Sequence, residues 1–107
     1  MNKVILLGRL TKDPDVRYSQ ATNTKVALFS LAVERKYVKQ GEERQTDFIN
    51  IICYSKNAEF AEKYFKQGLK IALSGRIETR NWTDDNGVKH YTTNVIAEEF
   101  DFADSPK

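Results

Sequence analysis

The chain has 107 residues and a mass of 12.3 kDa, a length that suits one compact domain and leaves no room for a second core. No unbroken apolar run exceeds four residues, so neither a membrane span nor a signal-peptide core is expected, and a single cysteine excludes an internal disulfide. The protein is therefore predicted to be intracellular. Residues 1–97 carry 16 basic and 11 acidic side chains, a net charge of +5, which fits a polyanionic partner and an ordinary solvated surface equally well.

The first half of the chain predicts three strands. Residues 2–10 contain Val4–Leu7, a run that is apolar on both strand faces, which indicates a strand buried on both sides or one used in an oligomer interface. A turn is expected at residues 11–15, and residues 24–37 are rich in β-forming side chains and predict a long strand. Residues 46–54 alternate most clearly and predict the third strand.

The second half changes period twice. Residues 56–66 have helical spacing, and Gly68 follows as an expected helix C-cap. Residues 69–82 and 88–97 alternate again on either side of Asn86-Gly87, a dipeptide typical of a tight hairpin. Five strands with one helix between the third and the fourth is the chain order of an OB fold, a partly open Greek-key barrel. We therefore predict a mostly β OB-fold domain over residues 1–103 and a short C-terminal end at 104–107.

The sequence offers little to catalysis. His90 is the single histidine, which leaves a zinc site without its usual cluster of His and Cys ligands. The five glycines are scattered and form neither a P-loop nor a dinucleotide-binding motif. We therefore expect a non-catalytic protein with no metal, no cofactor, no small-molecule substrate and no membrane.

Exposed aromatic side chains beside cations are the feature that points to a function. Phe48 and Tyr54 are six residues apart on one strand and so share a face, whereas Trp82 lies opposite the face of Leu73 and Ile77. Aromatic rings that stack on bases, bordered by cations that bind phosphates, provide the chemistry that single-stranded nucleic acid requires. The predicted stacking residues are Tyr37, Phe48, Tyr54 and Trp82. The predicted phosphate contacts are Lys36, Lys56, Lys70, Arg76, Arg80 and Lys89.

Other aromatic side chains are expected to pack inside the domain. Any one of the four stacking candidates, taken alone, would more often be a core or oligomer contact, and their shared parity with neighbouring cations reverses that preference. Cys53 is expected to be a small core residue and His90 a surface or groove-edge side chain. The predicted aromatic core consists of Phe29, Phe60, Tyr64 and Phe65.

Three segments resemble bacterial single-stranded DNA-binding proteins. They are NKVILLGRLTKDPDVRY at the start, TDFINIICYSKNAEFAEKYFKQGLKIALSGRIETRNWTDDNG in the middle and HYTTNVIAEEF near the end. The resemblance covers nearly all of residues 1–103. It implies a cytoplasmic, nucleoid-associated homotetramer of OB folds that wraps and protects single-stranded DNA in replication, repair and recombination.

The resemblance also implies roles for particular positions. By position in the family, Tyr37, Phe48, Tyr54 and Trp82 stack on bases, and the strand holding Val4, Ile5, Leu6 and Leu7 pairs subunits. Family members usually continue into a long Gly-, Gln- and Pro-rich tail with an acidic tip that recruits other proteins. This sequence ends at residues 104–107, so replication and repair proteins are expected as partners only where a longer native tail exists.

Two alternatives remain open from the residues themselves. An OB-fold binder of RNA would differ by contacts to the 2′-hydroxyl, which a sequence does not reveal. A module that bridges proteins would present a more apolar patch than the basic strand face that carries Trp82.

Overall fold

The computed structural model describes residues 1–37 and 39–104, which form six strands and one α-helix. In chain order these are β1 (Val4–Leu10), β2 (Asp15–Ser19), β3 (Thr24–Glu34), β4 (Thr46–Tyr54), α1 (Lys56–Tyr64), β5 (Lys70–Thr83) and β6 (Lys89–Phe102). The five predicted strands and the predicted helix are present, and β2 is additional. The described part of the chain has no helix long and apolar enough to span a bilayer.

Five of the strands pair in a cycle. β1 is antiparallel to β5, β5 to β6, and β3 to β4. Two short contacts complete the ring, one between β1 and β3 at Arg9 and Leu10 and one between β4 and β6, which run parallel at Ile51 and Ile52. Because each of these contacts involves only two residue pairs, the barrel is partly open. Since α1 lies between β4 and β5, the predicted OB fold is confirmed.

The additional strand β2 forms a hairpin with β3 on the outside of the barrel. Its turn contains Asn23, which adopts a positive φ of 54° and accepts a hydrogen bond from the hydroxyl of Tyr18. Val16 is the side chain of β2 that packs against the core. A strand with one core contact leaves a weak apolar pattern, which is why residues 15–19 were not predicted as a strand.

The helix α1 packs against one end of the barrel. Ala58 and Ala61 are fully buried, and their small side chains let the helix approach the strands closely. The helix ends at Tyr64 rather than at residue 66, because Phe65 is extended and its ring contacts those of Phe29 and Phe100. The predicted C-cap is wrong as well: Gly68, with a φ of +88°, lies in the turn before β5.

The aromatic core differs from prediction at one position. Phe29 and Phe65 are buried, and Phe60 packs against the core cluster. Tyr64 is 49% exposed and contacts the ring of Phe60 at a centroid distance of 4.8 Å. Its assignment to the core was therefore wrong, because Tyr64 lies on the solvent side of α1.

A β-bulge shapes the last strand. Where β5 passes from Ser74 to Gly75, the pairing with β6 skips Glu98. The extra residue reverses the alternation, so that Ala97 before the bulge and Phe100 after it both contact the core. The side-chain amide of Asn57 in α1 donates to the carbonyl oxygens of Ala97 and Glu98, at 3.2 and 3.4 Å. The helix thereby binds the backbone on both sides of the peptide bond at which the bulge begins.

Candidate nucleic-acid interface

The outer face of β3 and β4 carries two of the predicted stacking residues at opposite ends. The register places Tyr54 beside Val26 and Phe48 beside Ala32, so both aromatic side chains stand over small or aliphatic neighbours. Phe48 is 67% exposed, whereas Tyr54 is half-buried. Six residues separate them, a distance of about 20 Å along a strand. A surface of this length is enough for several nucleotides of a single strand.

Beyond the barrel, β5 and β6 pair, among the described residues, only with each other and form an arm, residues 76–94. In this arm Trp82 lies directly opposite His90, and the two rings stack with centroids 5.2 Å apart and an interplanar angle of 19°. Trp82 remains 51% exposed. Ile77, predicted on the core-facing side, is 44% exposed because it lies where the arm leaves the barrel.

Arg80 links the arm to β4. Its Nη2 donates to the hydroxyl oxygen of Tyr54 at 3.3 Å, and it shares the outer face of β5 with Trp82. Tyr54, Arg80 and Trp82 therefore form one continuous surface of ring, cation and ring. An open groove beside Tyr54 and Arg80 runs to the β2–β3 hairpin, with Ile52 among its lining residues.

Two of the predicted phosphate contacts carry unpaired charges: Lys56 beside this surface, and Lys89 at the tip of the arm, on the face opposite Trp82. Lys56 is the first residue of α1 and follows Tyr54 by two positions. Lys89 begins β6 at the far end of the arm. Both side chains are exposed, and neither ammonium forms an ion pair within the described residues. Their charges are therefore available to an anionic ligand.

The two predicted arginines differ in how far their charge is already compensated. Arg80 lies 3.9 Å from Glu78, and its side chain is 60% exposed. Arg76 is bound by two carboxylates, with Glu78 at 3.4 Å and Glu98 at 3.5 Å. A phosphate would have to displace these ion pairs from Arg76, so Arg80 is the better placed of the two.

The remaining predicted residues lie in a second region, at the end of β1 and in the β3–β4 loop. Lys36 and Lys70 line a cleft together with Arg9 and Arg44. Lys36 Nζ lies 5.5 Å from the ring centroid of Tyr37, which is 84% exposed. Residues 38–45 contain Gly41 and four charged side chains, which predict a flexible loop, and Val38 at its start lies outside the described residues. The structure thus separates these basic residues and Tyr37 from the surface around Trp82.

Two acidic residues near the end of the chain, Glu98 and Asp104, lie on the β1–β5–β6 side of the barrel. Glu98 binds Arg76, and Asp104 accepts hydrogen bonds from the guanidinium of Arg9 at 3.3 Å and from the backbone N–H of Lys70 at 2.9 Å. These carboxylates therefore do not line the outer face of β3 and β4. Of the predicted end at 104–107, residues 105–107 lie outside the described residues.

The predicted interface strand β1 has one face on the barrel and one in solvent. Val4 and Leu6 pack against the core cluster, whereas Ile5 is 76% and Leu7 51% exposed. Within the described residues, β1 pairs with β5 along one edge, and from Val4 to Gly8 no strand lies along its other edge. An apolar face beside an open strand edge favours contact with another chain.

One side chain at this surface was not predicted to take part in it. His90 was expected at the surface or at the edge of a groove, but its stacking on Trp82 requires the register of the hairpin. The signal is present in the sequence, because Trp82 and His90 each lie four residues from Asn86 in the turn. Residues placed evenly about a hairpin turn face each other across the two strands.

Comparison with known proteins adds an independent result. Residues 1–103 match the Single-strand binding protein family. The chain is 44% identical over 102 residues to "Single-stranded DNA-binding protein 3" of Clostridium acetobutylicum, and the match covers 95% of this chain and 70% of that protein. It is 47% identical over 102 residues to the "Single-stranded DNA-binding protein" of Caldanaerobacter subterraneus subsp. tengcongensis, covering 95% of this chain and 67% of the relative. A protein of Clostridium perfringens with the same name is 44% identical over 98% of this chain and 67% of its own length.

Proposed function

Because the chain belongs to the single-strand binding protein family, we propose that it binds single-stranded DNA without chemical conversion. Like the rest of its family, it is not an enzyme. Bases stack on Tyr37, Phe48, Tyr54 and Trp82, and lysine and arginine side chains neutralise the phosphates. The finer role, wrapping and protecting DNA during replication, repair and recombination in the cytoplasm, is part of the same proposal.

The observation that carries the proposal is the continuous surface formed by Tyr54, Arg80 and Trp82. This surface carries the half-exposed indole of Trp82, the guanidinium of Arg80 and the phenol of Tyr54. The guanidinium lies 3.3 Å from the phenol oxygen. Every base has a π-face, so stacking on such rings is tolerant of sequence. A duplex does not offer these faces, because its bases already stack on one another. The surface therefore favours single strands with little base selectivity.

The phosphate contacts follow from position and charge. Lys56 and Arg80 border the stacking surface, Lys89 lies at the tip of the arm on the opposite face from Trp82, and Arg76 contributes least because two carboxylates already bind it. Lys36 and Lys70 support a second segment of the same strand, in the cleft near Tyr37. A strand that visits both regions must pass across the outer face of the barrel, which is consistent with wrapping.

The assembly that we propose is a homotetramer. The exposed side chains of Ile5 and Leu7, next to a strand edge that is open from Val4 to Gly8, support pairing of β1 with another copy. Contacts of this kind bury apolar area and satisfy backbone hydrogen-bonding groups together.

The test is a set of titrations at one fixed salt concentration. Trp82 is the only tryptophan, so its fluorescence reports directly on the proposed surface. Oligonucleotides of equal length in deoxythymidine, deoxycytidine and uridine, together with a duplex, are titrated into the protein. We expect quenching by both DNA single strands at similar concentrations and none by the duplex in that range. Equal affinity for the duplex would overturn the proposal, and clearly tighter binding of the uridine strand would favour RNA as the ligand.

A further inference from the structure

His90 lies beneath the proposed stacking residue of the arm. Its Cα is paired with that of Trp82 across the hairpin. Rings 5.2 Å apart and inclined by 19° are in a stacked arrangement. One face of the indole is therefore covered from within the chain, and the 51% of the side chain that stays exposed is what a base can reach.

The imidazole is itself held in place. His90 Nε2 lies 2.7 Å from Asp84 Oδ2, and because an ionised carboxylate only accepts hydrogen bonds, Nε2 is the donor. The other oxygen of Asp84 accepts hydrogen bonds from the backbone N–H groups of Asn86 and Val88, both at 2.9 Å. The hydrogen bond from His90 holds the pKa of the Asp84 carboxyl below its ordinary value, and the bond from Val88 acts in the same direction. Asp84 is thus fixed by the turn, and it fixes His90.

These contacts connect the turn of the hairpin to the orientation of the indole. We infer that His90 is a positioning residue for single-stranded DNA: it holds the Trp82 ring from one side and leaves the opposite side for a nucleobase. This inference rests on the proposed function. A tryptophan at the end of an arm has two free side-chain torsions, and ordering it before the base arrives lowers the loss of entropy on binding.

The contribution of His90 is bounded by the strength of one aromatic contact. An aromatic pair contributes about 0.5–1.5 kcal/mol, which corresponds to roughly two- to tenfold in affinity. Removal of the stacking ring itself has a larger expected effect, roughly 5- to 150-fold, since a base–aromatic stack contributes about 1–3 kcal/mol. His90→Ala should therefore weaken DNA binding by a smaller factor than Trp82→Ala.

A double-mutant cycle tests the inference. His90→Ala, Trp82→Ala and the double variant are compared with the native protein by anisotropy of a labelled deoxythymidine oligonucleotide. We expect His90→Ala to weaken binding roughly two- to tenfold in the native background, and by less than about twofold once Trp82 is absent. His90→Phe keeps a ring against the indole and should restore most of the affinity. Thr79→Ala, an exposed position on the opposite face of the arm, is the matched control and should bind as the native protein does.

The possible results distinguish a failure of the role of His90 from a failure of DNA binding itself. In His90→Ala, Trp82 fluorescence should become more accessible to acrylamide in the free protein, because a second ring face opens. An equal loss of affinity in both backgrounds would show that His90 merely stabilises the arm and would overturn the inference. Unchanged binding by His90→Ala, with Trp82→Ala weakened, would overturn it too while leaving DNA binding intact. If the native protein itself fails to bind, the proposed function falls and the role of His90 falls with it.

Discussion

Replacement of Trp82 by alanine separates a stacking role from a structural one. Trp82 is 51% exposed and its aromatic contact in the folded chain is with His90. Loss of that contact should lower the free energy of unfolding by about 0.5–1.5 kcal/mol. A tryptophan buried in the core would instead lose about 3–5 kcal/mol on truncation.

The same substitution should have a larger effect on binding than on stability. Removal of one base stack corresponds to about 1–3 kcal/mol, or roughly 5- to 150-fold in the dissociation constant for that contact. Because the variant lacks tryptophan, binding is measured by anisotropy of labelled DNA, and stability by urea denaturation followed by circular dichroism.

A matched control makes the comparison specific. Tyr64 is 49% exposed and packs against the rings of Phe60 and Phe102, but it lies on α1 and not on the proposed surface. Tyr64→Ala should lose stability as Trp82→Ala does and should bind DNA normally. If Trp82→Ala lost more than 3 kcal/mol of stability and bound DNA normally per folded molecule, the stacking assignment would be refuted.

Three further predictions test other parts of the description. Affinity should fall steeply with salt, and a plot of log affinity against log salt concentration should have a slope near −0.7 per neutralised phosphate. Lys56→Ala should make this slope shallower by about that amount. Arg76→Ala should change it less, because the charge of Arg76 is already paired. A slope unchanged in Lys56→Ala would exclude that residue from phosphate binding. Leu7→Asp should fold and reduce the oligomer toward the 12.3 kDa subunit in light scattering, because Leu7 is 51% exposed in the subunit; an unchanged mass would place the interface elsewhere. Cys53 should not react with a thiol reagent at pH 8 until the protein is denatured, since burial raises the pKa of its thiol to about 12; rapid reaction of the native protein would contradict its position in the core.

The sequence predicted strands best where alternation was uninterrupted. β4 occupies residues 46–54 as predicted, because more exposed and more buried side chains alternate from Thr46 to Ile51 and the strand continues through the buried Ile52 and Cys53. Helix α1 was predicted two residues too long, since Phe65 fits helical spacing as well as it fits the aromatic cluster that it enters. The packing of Phe65 against Phe29 and Phe100 decides between the two conformations, and that packing is a long-range effect.

At the candidate site too, local sequence patterns predicted the faces of the strands but not the contacts between strands. The outward positions of Phe48, Tyr54 and Trp82 follow from strand parity alone and are found in the structure. Arg80 and Tyr54 are 26 residues apart in the sequence and lie on different strands, yet they form a hydrogen bond. Arg76 likewise meets the carboxylates of Glu78 and Glu98 only once the sheet has formed. Contacts of this kind depend on which strands become neighbours, which no periodicity within a single strand specifies.

Gly75 in β5 determines how far the neighbouring strand β6 extends, which the sequence around Gly75 does not indicate. The predicted strand stopped at residue 97 because Glu98 and Glu99 break the apolar alternation, yet β6 continues to Phe102. The bulge at Gly75 resolves this, because one skipped residue returns Phe100 to the core. A Cβ at Gly75 would collide with the carbonyl oxygen of Ile96.

Gly75→Ala should therefore destabilise the fold by moving backbone rather than a flexible side chain. Forcing an extra methyl group into a packed region costs about 1–3 kcal/mol, which we expect as a lower urea midpoint at an unchanged slope. Ser74→Ala, at the adjacent position on the outer face, is the control and should stay within about 0.5 kcal/mol of the native value. Because the bulge lies where the arm begins, Gly75→Ala should also weaken DNA binding through Arg80 and Trp82. If Gly75→Ala kept the native free energy of unfolding, the strands could move apart at this position at no cost. The bulge would then not depend on the absence of a side chain at residue 75.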